Sequence, residues 1–237
     1  MLEAPIVEIF SSIQGEGLLV GRRQIFVRFA GCNLDCNYCD TAITKSKSSG
    51  TLKTVDDVVY KINQLKTDDL HSVSFTGGEP LLHADFIKEV IEKIDVPSFL
   101  ETNGTLPVEI NKLDNLDYVS LDIKLPEHFD GKYSEKILLS EIKSVNILMD
   151  KSIKVYCKLV VLPDSDLSTI EKLAKELKNN INQNQKVSVV IQPVSPIELW
   201  KDNKELLFEV SQIIGKYMDV LTIPQLHKFM DIEYRII

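Results

Sequence analysis

Short apolar runs alternate with amphipathic helical segments along most of this chain, and that alternation limits the folds open to it. The apolar runs predict strands at 6–10, 24–30, 72–75, 98–101, 118–121, 155–161, 187–191 and 220–223. Apolar residues at helical spacing predict helices at 54–65, 86–94, 133–149, 167–177 and 206–214. This order is typical of βα units around a mostly parallel sheet. Because no repeat or linker divides residues 1–237, we interpret them as a single α/β domain.

Polar, glycine-rich or proline-containing segments follow the predicted strands. In barrel-like α/β folds, the chemistry gathers at the C-terminal ends of the strands. Residues at those ends include Cys32, Gly78, Glu101, Asp122, Gln192 and His227. We therefore expect these residues to meet in one site.

Three of the four cysteines lie within the loop at 31–41, as Cys32, Cys36 and Cys39. Thiolates in this C-x3-C-x2-C spacing select iron-sulfur clusters, zinc or Cu(I) over hard cations. A closed iron-sulfur cluster takes four cysteines, so three would leave one iron of a [4Fe-4S] cluster open to a substrate. A zinc site completed by Cys157 or by one of the four histidines is the alternative.

The charge and hydropathy of the sequence argue against a nucleic-acid-binding protein and against a membrane protein. The net charge of −8 and the pI near 5.1 argue against a general nucleic-acid surface, which needs clustered Lys and Arg. The sequence shows neither a secretory signal nor an apolar run of membrane-spanning length, so we expect no membrane partner. We expect a cytoplasmic, reducing location, which also suits an oxygen-sensitive cluster.

Two glycine-containing segments have the composition of ligand-binding loops. Residues 11–17 end in Gln14-Gly15-Glu16-Gly17, and residues 76–80 read Thr-Gly-Gly-Glu-Pro. Glycines let the backbone approach a ligand where a side chain would collide. Arg28 shares a strand face with Phe26, and it either clamps a carboxylate or is a solvated edge charge. Residues 41–50 are expected to form an exposed, mobile loop.

The cysteine spacing, with Tyr38 before the last cysteine, and the intact Gly77-Gly78-Glu79 segment resemble the radical S-adenosylmethionine enzymes. The resemblance implies a partial, TIM-like radical S-adenosylmethionine barrel, with a [4Fe-4S] cluster on the three cysteines. It also implies binding of S-adenosylmethionine by Tyr38, Asp40, Gly77, Gly78, Glu79, Ser120, Asp122, Lys124, Gln192 and Pro193.

Further segments resemble one family of these enzymes, the 7-carboxy-7-deazaguanine synthases: 13–17, 26–28, 39–41, 76–80, 101–104 and 224–228. The resemblance implies a lyase that contracts the ring of 6-carboxy-5,6,7,8-tetrahydropterin, with loss of ammonia, in queuosine or archaeosine biosynthesis. It implies Mg²⁺ bound through Thr41 and a pterin pocket formed by Ile13, Gln14, Gly15, Glu16, Arg28, Thr76, Glu101 and His227.

The same resemblance implies the partners of the chain. They are the small pterin substrate, an electron donor of the flavodoxin or ferredoxin type, and a second copy of the chain in a homodimer. The residues after His227 depart from the family, many members of which stop near this point, and we expect this tail to serve in dimer contacts. The alternatives are another small radical S-adenosylmethionine enzyme, a non-catalytic zinc- or cluster-binding module, and a glycyl-radical-activating enzyme, which shares the cysteine spacing. Such an enzyme docks a large protein and predicts no pterin pocket around Arg28.

Overall fold

The computed structural model describes residues 2–182, 186–230 and 232. A nine-stranded sheet runs through these residues. Its strands are β1 Glu3–Ile13, β2 Arg23–Phe29, β3 Thr51–Thr54, β4 Leu70–Gly77, β5 Ser98–Thr102, β6 Tyr118–Ile123, β7 Lys154–Val161, β8 Ser188–Pro193 and β9 Asp219–Thr222. Every strand that the sequence predicts is therefore present.

The helices confirm the predicted alternation. They are α1 Val55–Leu65, α2 Ala84–Lys93, α3 Pro107–Ile110, α4 Lys136–Asp150, α5 Leu167–Asn180, α6 Glu205–Gly215 and α7 Leu226–Phe229. A capping box begins α1: Thr54 Oγ1 accepts from Asp57 N at 3.2 Å, and Asp57 Oδ2 accepts from Thr54 N at 3.0 Å. Among the described residues, no helix has the length and apolar character needed to span a membrane.

The sheet has the order β3-β1-β2-β4-β5-β6-β7-β8-β9. Strand β1 is antiparallel to both β2 and β3, and all remaining neighbours, from β2 to β9, are parallel. With β3 and β9 at its two edges the sheet is open, which confirms the mostly parallel, incomplete barrel. The C-terminal ends of seven consecutive strands thus lie along one rim.

Strand β7 shows how the sheet separates core from site. Cys157 and Leu159 point into the main hydrophobic core, whereas Lys158 and Val160 line a cavity on the opposite face. Cys157 is fully buried as a small apolar side chain and is not among the residues that line this cavity. A zinc site completed by Cys157 therefore finds no support in this arrangement.

Three local predictions differ from the structure. Strand β1 continues through residues 11–13, which were predicted as loop, because Ser11 and Ile13 pair with β2. Strand β3 was not predicted, since its polar residues form a strand only by pairing with β1. Residues 41–50 are not simply an exposed loop, because they contain two short 3₁₀ helices and the fully buried Thr44.

The tail expected in dimer contacts lies mostly outside the described residues.

Candidate active site

A cavity of about 270 Å³ opens at the C-terminal ends of the parallel strands. Nearly all of the predicted site residues line it. From the predicted cluster, magnesium and pterin sites these are Cys32, Cys36, Cys39, Thr41, Ile13, Gln14, Gly15, Glu16, Arg28, Thr76, Glu101 and His227. From the predicted S-adenosylmethionine site they are Tyr38, Asp40, Gly77, Gly78, Asp122, Lys124 and Gln192. The strand-end residues do converge, as the alternating pattern predicted.

The cysteine loop starts directly after β2 and is anchored by its backbone. Gly31 has φ +97° and donates its N–H to Thr44 O at 2.7 Å, and Cys32 N donates to Lys45 O at 3.2 Å. The segment at 41–50 thus supports the loop from behind. Burial raises the pKa of the Cys32 and Cys36 thiols, so metal binding, which needs thiolates, must displace their protons.

The donor set of the loop fits an iron-sulfur cluster. Cys32, Cys36 and Cys39 are free, partly exposed thiols on one cavity wall, and soft thiolates are the ligands such clusters take. Across 2–182, 186–230 and 232, no three His, Cys, Asp or Glu side chains are already drawn together as around a bound metal ion. The fit therefore rests on the chemistry and placement of the thiols.

The second half of the cysteine loop rests on a neutral histidine. The Tyr38 ring meets the His128 ring edge-on at 4.5 Å, and Asn37 N donates to His128 O at 3.0 Å. Burial lowers the pKa of His128 to about 3, so the ring is uncharged. Lys124 Nζ donates to Tyr38 OH at 2.8 Å and thereby ties the loop to β6.

The two adjacent glycines after β4 allow close backbone packing. A Cβ on Gly77 would lie 2.2 Å from Phe29 O, and one on Gly78 would lie 2.1 Å from Gly31 O. A side chain on Gly77 would push β4 away from β2, and one on Gly78 would collide with the start of the cysteine loop. The glycines are therefore explained by packing, and both also line the cavity.

Three predicted S-adenosylmethionine ligands, Glu79, Ser120 and Pro193, are not among the residues that line the cavity. The Glu79 carboxylate accepts from Leu81 N at 2.9 Å, Thr102 Oγ1 at 2.8 Å and Asn103 N at 2.8 Å. Burial raises the pKa of Glu79 to about 7. In this structure Glu79 is a buried brace between the end of β4 and the end of β5, because backbone donors from both segments converge on it.

The wall formed by β6 and β8 carries groups suited to a polar ligand. Asp122 Oδ2 accepts from Lys124 Nζ at 2.8 Å, and Lys124 is almost fully buried. Among the described residues, Gln192 Oε1 is buried and has no hydrogen-bond partner. A buried acceptor of this kind is costly unless a ligand supplies a donor, so this wall fits S-adenosylmethionine.

The opposite wall, formed by the β1–β2 loop and β5, carries an amide network. Gln14 Nε2 donates to Glu101 Oε1 and to Gln24 Oε1, each at 2.9 Å. Glu16 N donates to Gln14 Oε1 at 3.0 Å. Burial raises the pKa of Glu101, although the nearby Lys158 opposes the shift. The Gln14 amide is thus fixed, and it holds the Glu101 carboxylate and the Glu16 backbone.

Arg28 lies on the same wall beside two aromatic rings. Its Nε donates to Glu8 Oε1 at 2.7 Å, and its Cζ lies 5.6 Å from the centre of the Phe10 ring. Phe10 stacks on Phe26 with ring centroids 5.1 Å apart. Phe26 and Arg28 face the cavity together, which confirms the strand face predicted from the sequence.

The C-terminal segment completes the cavity by reaching back to the β1–β2 loop. Leu226 N donates to Gly15 O at 2.8 Å, and a Cβ on Gly15 would lie 2.1 Å from His227 Nδ1. Gly15 is therefore required for the His227 ring to pack against this loop. Lys228 Nζ pairs with Asp40 Oδ2 at 2.5 Å and joins the segment to the cysteine loop.

Lys158 and Gln225 are among the polar side chains of the site that were not predicted from the sequence. Lys158 Nζ lies 2.9 Å from Glu16 Oε2 and 3.2 Å from Asp122 Oδ1. Gln225 Nε2 donates to Glu16 Oε1 at 2.8 Å and to Asp40 Oδ2 at 3.0 Å. The available signal for Lys158 was a single lysine in the middle of an apolar strand.

Comparisons with known proteins agree with this geometry. The family model described as the radical SAM superfamily matches residues 26–177. A 7-carboxy-7-deazaguanine synthase of Methanothermobacter thermautotrophicus is 47% identical, over 98% of this chain and 99% of its own length. That of Methanocaldococcus jannaschii is 38% identical, over 95% of this chain and 98% of its own length.

A solved structure shares the fold. QueE from Escherichia coli superposes with a TM-score of 0.64 at 21% identity, covering 94% of each chain. The family model covers more than half of the described chain, and the curated relatives match it nearly end to end. The chain therefore belongs to the 7-carboxy-7-deazaguanine synthase family of radical S-adenosylmethionine enzymes.

Proposed function

We propose that this enzyme converts 6-carboxy-5,6,7,8-tetrahydropterin into 7-carboxy-7-deazaguanine, a ring contraction with loss of ammonia, in the biosynthesis of queuosine or archaeosine. One observation carries the proposal. The three thiols and all eight predicted pterin-binding residues line a single cavity, although they come from segments spread between residues 13 and 227. The names of the curated relatives agree with it.

The protein is a radical S-adenosylmethionine enzyme, and its superfamily implies a [4Fe-4S] cluster and S-adenosylmethionine as cofactors. Cys32, Cys36 and Cys39 would hold the cluster. Asp122, Lys124 and Gln192 would bind S-adenosylmethionine on the wall formed by β6 and β8. When bound, the two cofactors together supply the radical that removes a hydrogen atom from the substrate. The remaining work of the chain is to orient the substrate and exclude water.

The wall with Gln14, Glu16 and Glu101 would form hydrogen bonds with the polar edge of the pterin. Glu16 is ionised, because Lys158 and Gln225 outweigh the effect of burial and lower its pKa below the usual value. Glu101 has its pKa raised by burial. The pair thus offers two carboxyl groups whose pKa values are shifted in opposite directions, which suits a heterocycle with donors and acceptors side by side. Arg28 would pair with the substrate carboxylate.

A Mg²⁺ ion would bind between Thr41 and the substrate carboxylate. Thr41 lines the cavity immediately after the cysteine loop and beside Asp40. A hydroxyl oxygen is a hard ligand of the kind that Mg²⁺ accepts, and Mg²⁺ commonly takes the rest of its shell from water and substrate. The ion would orient the carboxylate and offset negative charge during the rearrangement.

The finer partner assignments belong to the same proposal. A small one-electron carrier of the flavodoxin or ferredoxin type would reduce the cluster, which the partly exposed thiols permit. The enzyme would work in the cytoplasm as a homodimer of single-domain chains. These assignments rest on the family resemblance and on the reducing environment that an iron-sulfur cluster needs.

Mass spectrometry of an anaerobic reaction tests the proposal. The reaction contains reconstituted enzyme, dithionite, Mg²⁺, the carboxytetrahydropterin, and S-adenosylmethionine well below the pterin concentration. We expect deazaguanine product in excess of the S-adenosylmethionine supplied. Cleavage of S-adenosylmethionine with the pterin unchanged would contradict the proposed substrate but not the radical chemistry.

A further inference from the structure

Lys158 joins the two walls of the cavity. Its ammonium group lies 2.9 Å from Glu16 Oε2 and 3.2 Å from Asp122 Oδ1, and its side chain is only 11% exposed. Glu16 belongs to the wall expected to read the pterin, and Asp122 to the wall expected to hold S-adenosylmethionine. A single cation therefore bridges acidic groups from both halves of the site.

The Glu16 carboxylate is held at both of its oxygens. Oε2 accepts from Lys158, and Oε1 accepts from Gln225 Nε2 at 2.8 Å. The Glu16 backbone N–H is fixed by Gln14 Oε1 at 3.0 Å. The side chain is 17% exposed, and Glu16 lines the cavity. This carboxylate can therefore turn neither toward solvent nor away from a bound ligand.

The cavity would be unfavourable for these acids without Lys158. Glu16, Glu101 and Asp122 all line it, and carboxylates that share a low-dielectric site repel one another. Lys124 already pairs with the second oxygen of Asp122 at 2.8 Å. Glu16 has no such second cation within salt-bridge distance among the described residues, so its charge and orientation depend on Lys158.

We propose that Lys158 is a positioning residue for substrate specificity, which fixes Glu16 as an ionised acceptor for the N–H edge of the substrate heterocycle. Lys158 itself does not touch the substrate in this assignment. It acts through Glu16 and anchors that residue to Asp122 on the neighbouring strand. The inference rests on the proposed function, because the ligand it concerns is the pterin.

The test compares Lys158→Met with Lys158→Arg in the reconstituted holoenzyme. Lys154→Met is the matched control, because Lys154 lies on the same strand, is exposed, and packs over the Tyr118 ring outside the cavity. We expect Lys158→Met to raise KM for the carboxytetrahydropterin on the order of 30-fold, as for loss of one member of a buried charge pair. We expect kcat and the Kd for S-adenosylmethionine to stay within about 2-fold of wild type.

Lys158→Arg keeps the cation and is expected to recover most of the lost pterin affinity, while Lys154→Met matches wild type. Glu16→Gln alone and Glu16→Gln with Lys158→Met should give similar KM values, because Lys158 acts through Glu16. If Lys158→Met does not fold, Lys158→Gln replaces it, since the amide keeps a donor but no charge.

Equal losses of S-adenosylmethionine and pterin affinity would overturn the inference, because they indicate general collapse of the site. An unchanged KM in Lys158→Met, or no recovery in Lys158→Arg, would also overturn it. The wild-type reaction in the same series tests the proposed function separately. A wild-type enzyme that leaves the pterin unconverted overturns both, whereas conversion with a normal KM in Lys158→Met overturns only the role of Lys158.

Discussion

Two glycine-flanked glutamates, Glu16 and Glu79, look alike in the sequence but occupy opposite environments. Each follows a strand and has glycine beside it, and both were predicted to bind a ligand. Glu16 lines the cavity and is held by the side chains of Lys158 and Gln225. Glu79 is fully buried, and two of its three hydrogen bonds come from backbone N–H groups.

The difference shows what a glycine-flanked acid means in this fold. Beside Glu79, the glycines allow two backbone segments to pack in contact. The Glu79 carboxylate then accepts hydrogen bonds from backbone N–H groups where the segments meet. At Glu16 the glycines make room for other side chains, since a Cβ on Gly15 would meet His227 and one on Gly17 would meet Tyr156. The first glutamate therefore stabilises the wall, and the second is presented to the ligand.

The largest expected effect is on the stability contributed by Glu79. We expect Glu79→Ala to lower the free energy of unfolding by about 4 kcal/mol, because three buried donors lose their acceptor and a cavity remains. Glu16→Ala should cost less, since Lys158 keeps Asp122 and Gln225 keeps Asp40 as a partner. Urea unfolding under anaerobic conditions measures both variants. A Glu79→Ala protein as stable as Glu16→Ala would remove the distinction between the two glutamates.

The pH dependence of stability should have opposite signs at the two positions. Burial raises the pKa of Glu79 from 4.5 to about 7, so the folded protein keeps a proton that the unfolded chain has released. Its contribution is complete below pH 4.5 and falls by about 3 kcal/mol as the pH rises from 4.5 to 7. Glu16 has a lowered pKa, so its contribution is present above its unfolded value and is lost on acidification.

The measurement is urea unfolding between pH 3 and 8, with wild type compared with Glu79→Gln above pH 5 and with Glu16→Gln below pH 5. The difference between wild type and Glu79→Gln should decrease with rising pH. Curves that run parallel over this range would show that Glu79 does not hold a proton in the folded state.

A smaller effect is expected from Glu16→Gln on catalysis. Replacing the ionised acceptor with a neutral amide should raise KM for the carboxytetrahydropterin about 10-fold, since a charge-assisted hydrogen bond is lost. The Tm should change little. Steady-state kinetics, followed by deazaguanine formation, measures the effect. A normal KM combined with a lowered Tm would assign Glu16 the same structural role as Glu79.

Most of the sheet and part of the site could be predicted from the sequence. Alternating strands and helices predicted the sheet, and the strand-end rule placed Cys32, Glu101 and His227 together. The short edge strand β3 was missed, because its polar residues become a strand only by pairing with residues 3–6, which lie far away in sequence. Local composition cannot report such a pairing.

For a related reason, the sequence did not show that the Lys158 side chain points into the cavity. Strand β7 is buried on both faces from Tyr156 to Val161, so its residues show no alternation that separates the core face from the cavity face. The hydrogen bonds of Glu79 could not be predicted, because its partners Thr102 and Asn103 come from another strand end. Gln225 contacts Glu16 across 209 positions, a contact that forms only when the C-terminal segment packs against the β1–β2 loop.

The smallest expected effects concern Gln225 and Lys228, which attach the C-terminal segment to the cavity. Gln225 is buried, bridges Glu16 and Asp40, and accepts from Ser195 Oγ at 2.5 Å. We expect Gln225→Ala to raise KM for the pterin about 3-fold, because Glu16 keeps Lys158 but loses its second anchor. Lys228→Ala is the matched control, since its ion pair with Asp40 is partly exposed and contributes well under 1 kcal/mol. Equal KM changes in the two variants would show that pterin binding depends on docking of the whole C-terminal segment. It would then not depend specifically on the hydrogen bond from Gln225 to Glu16.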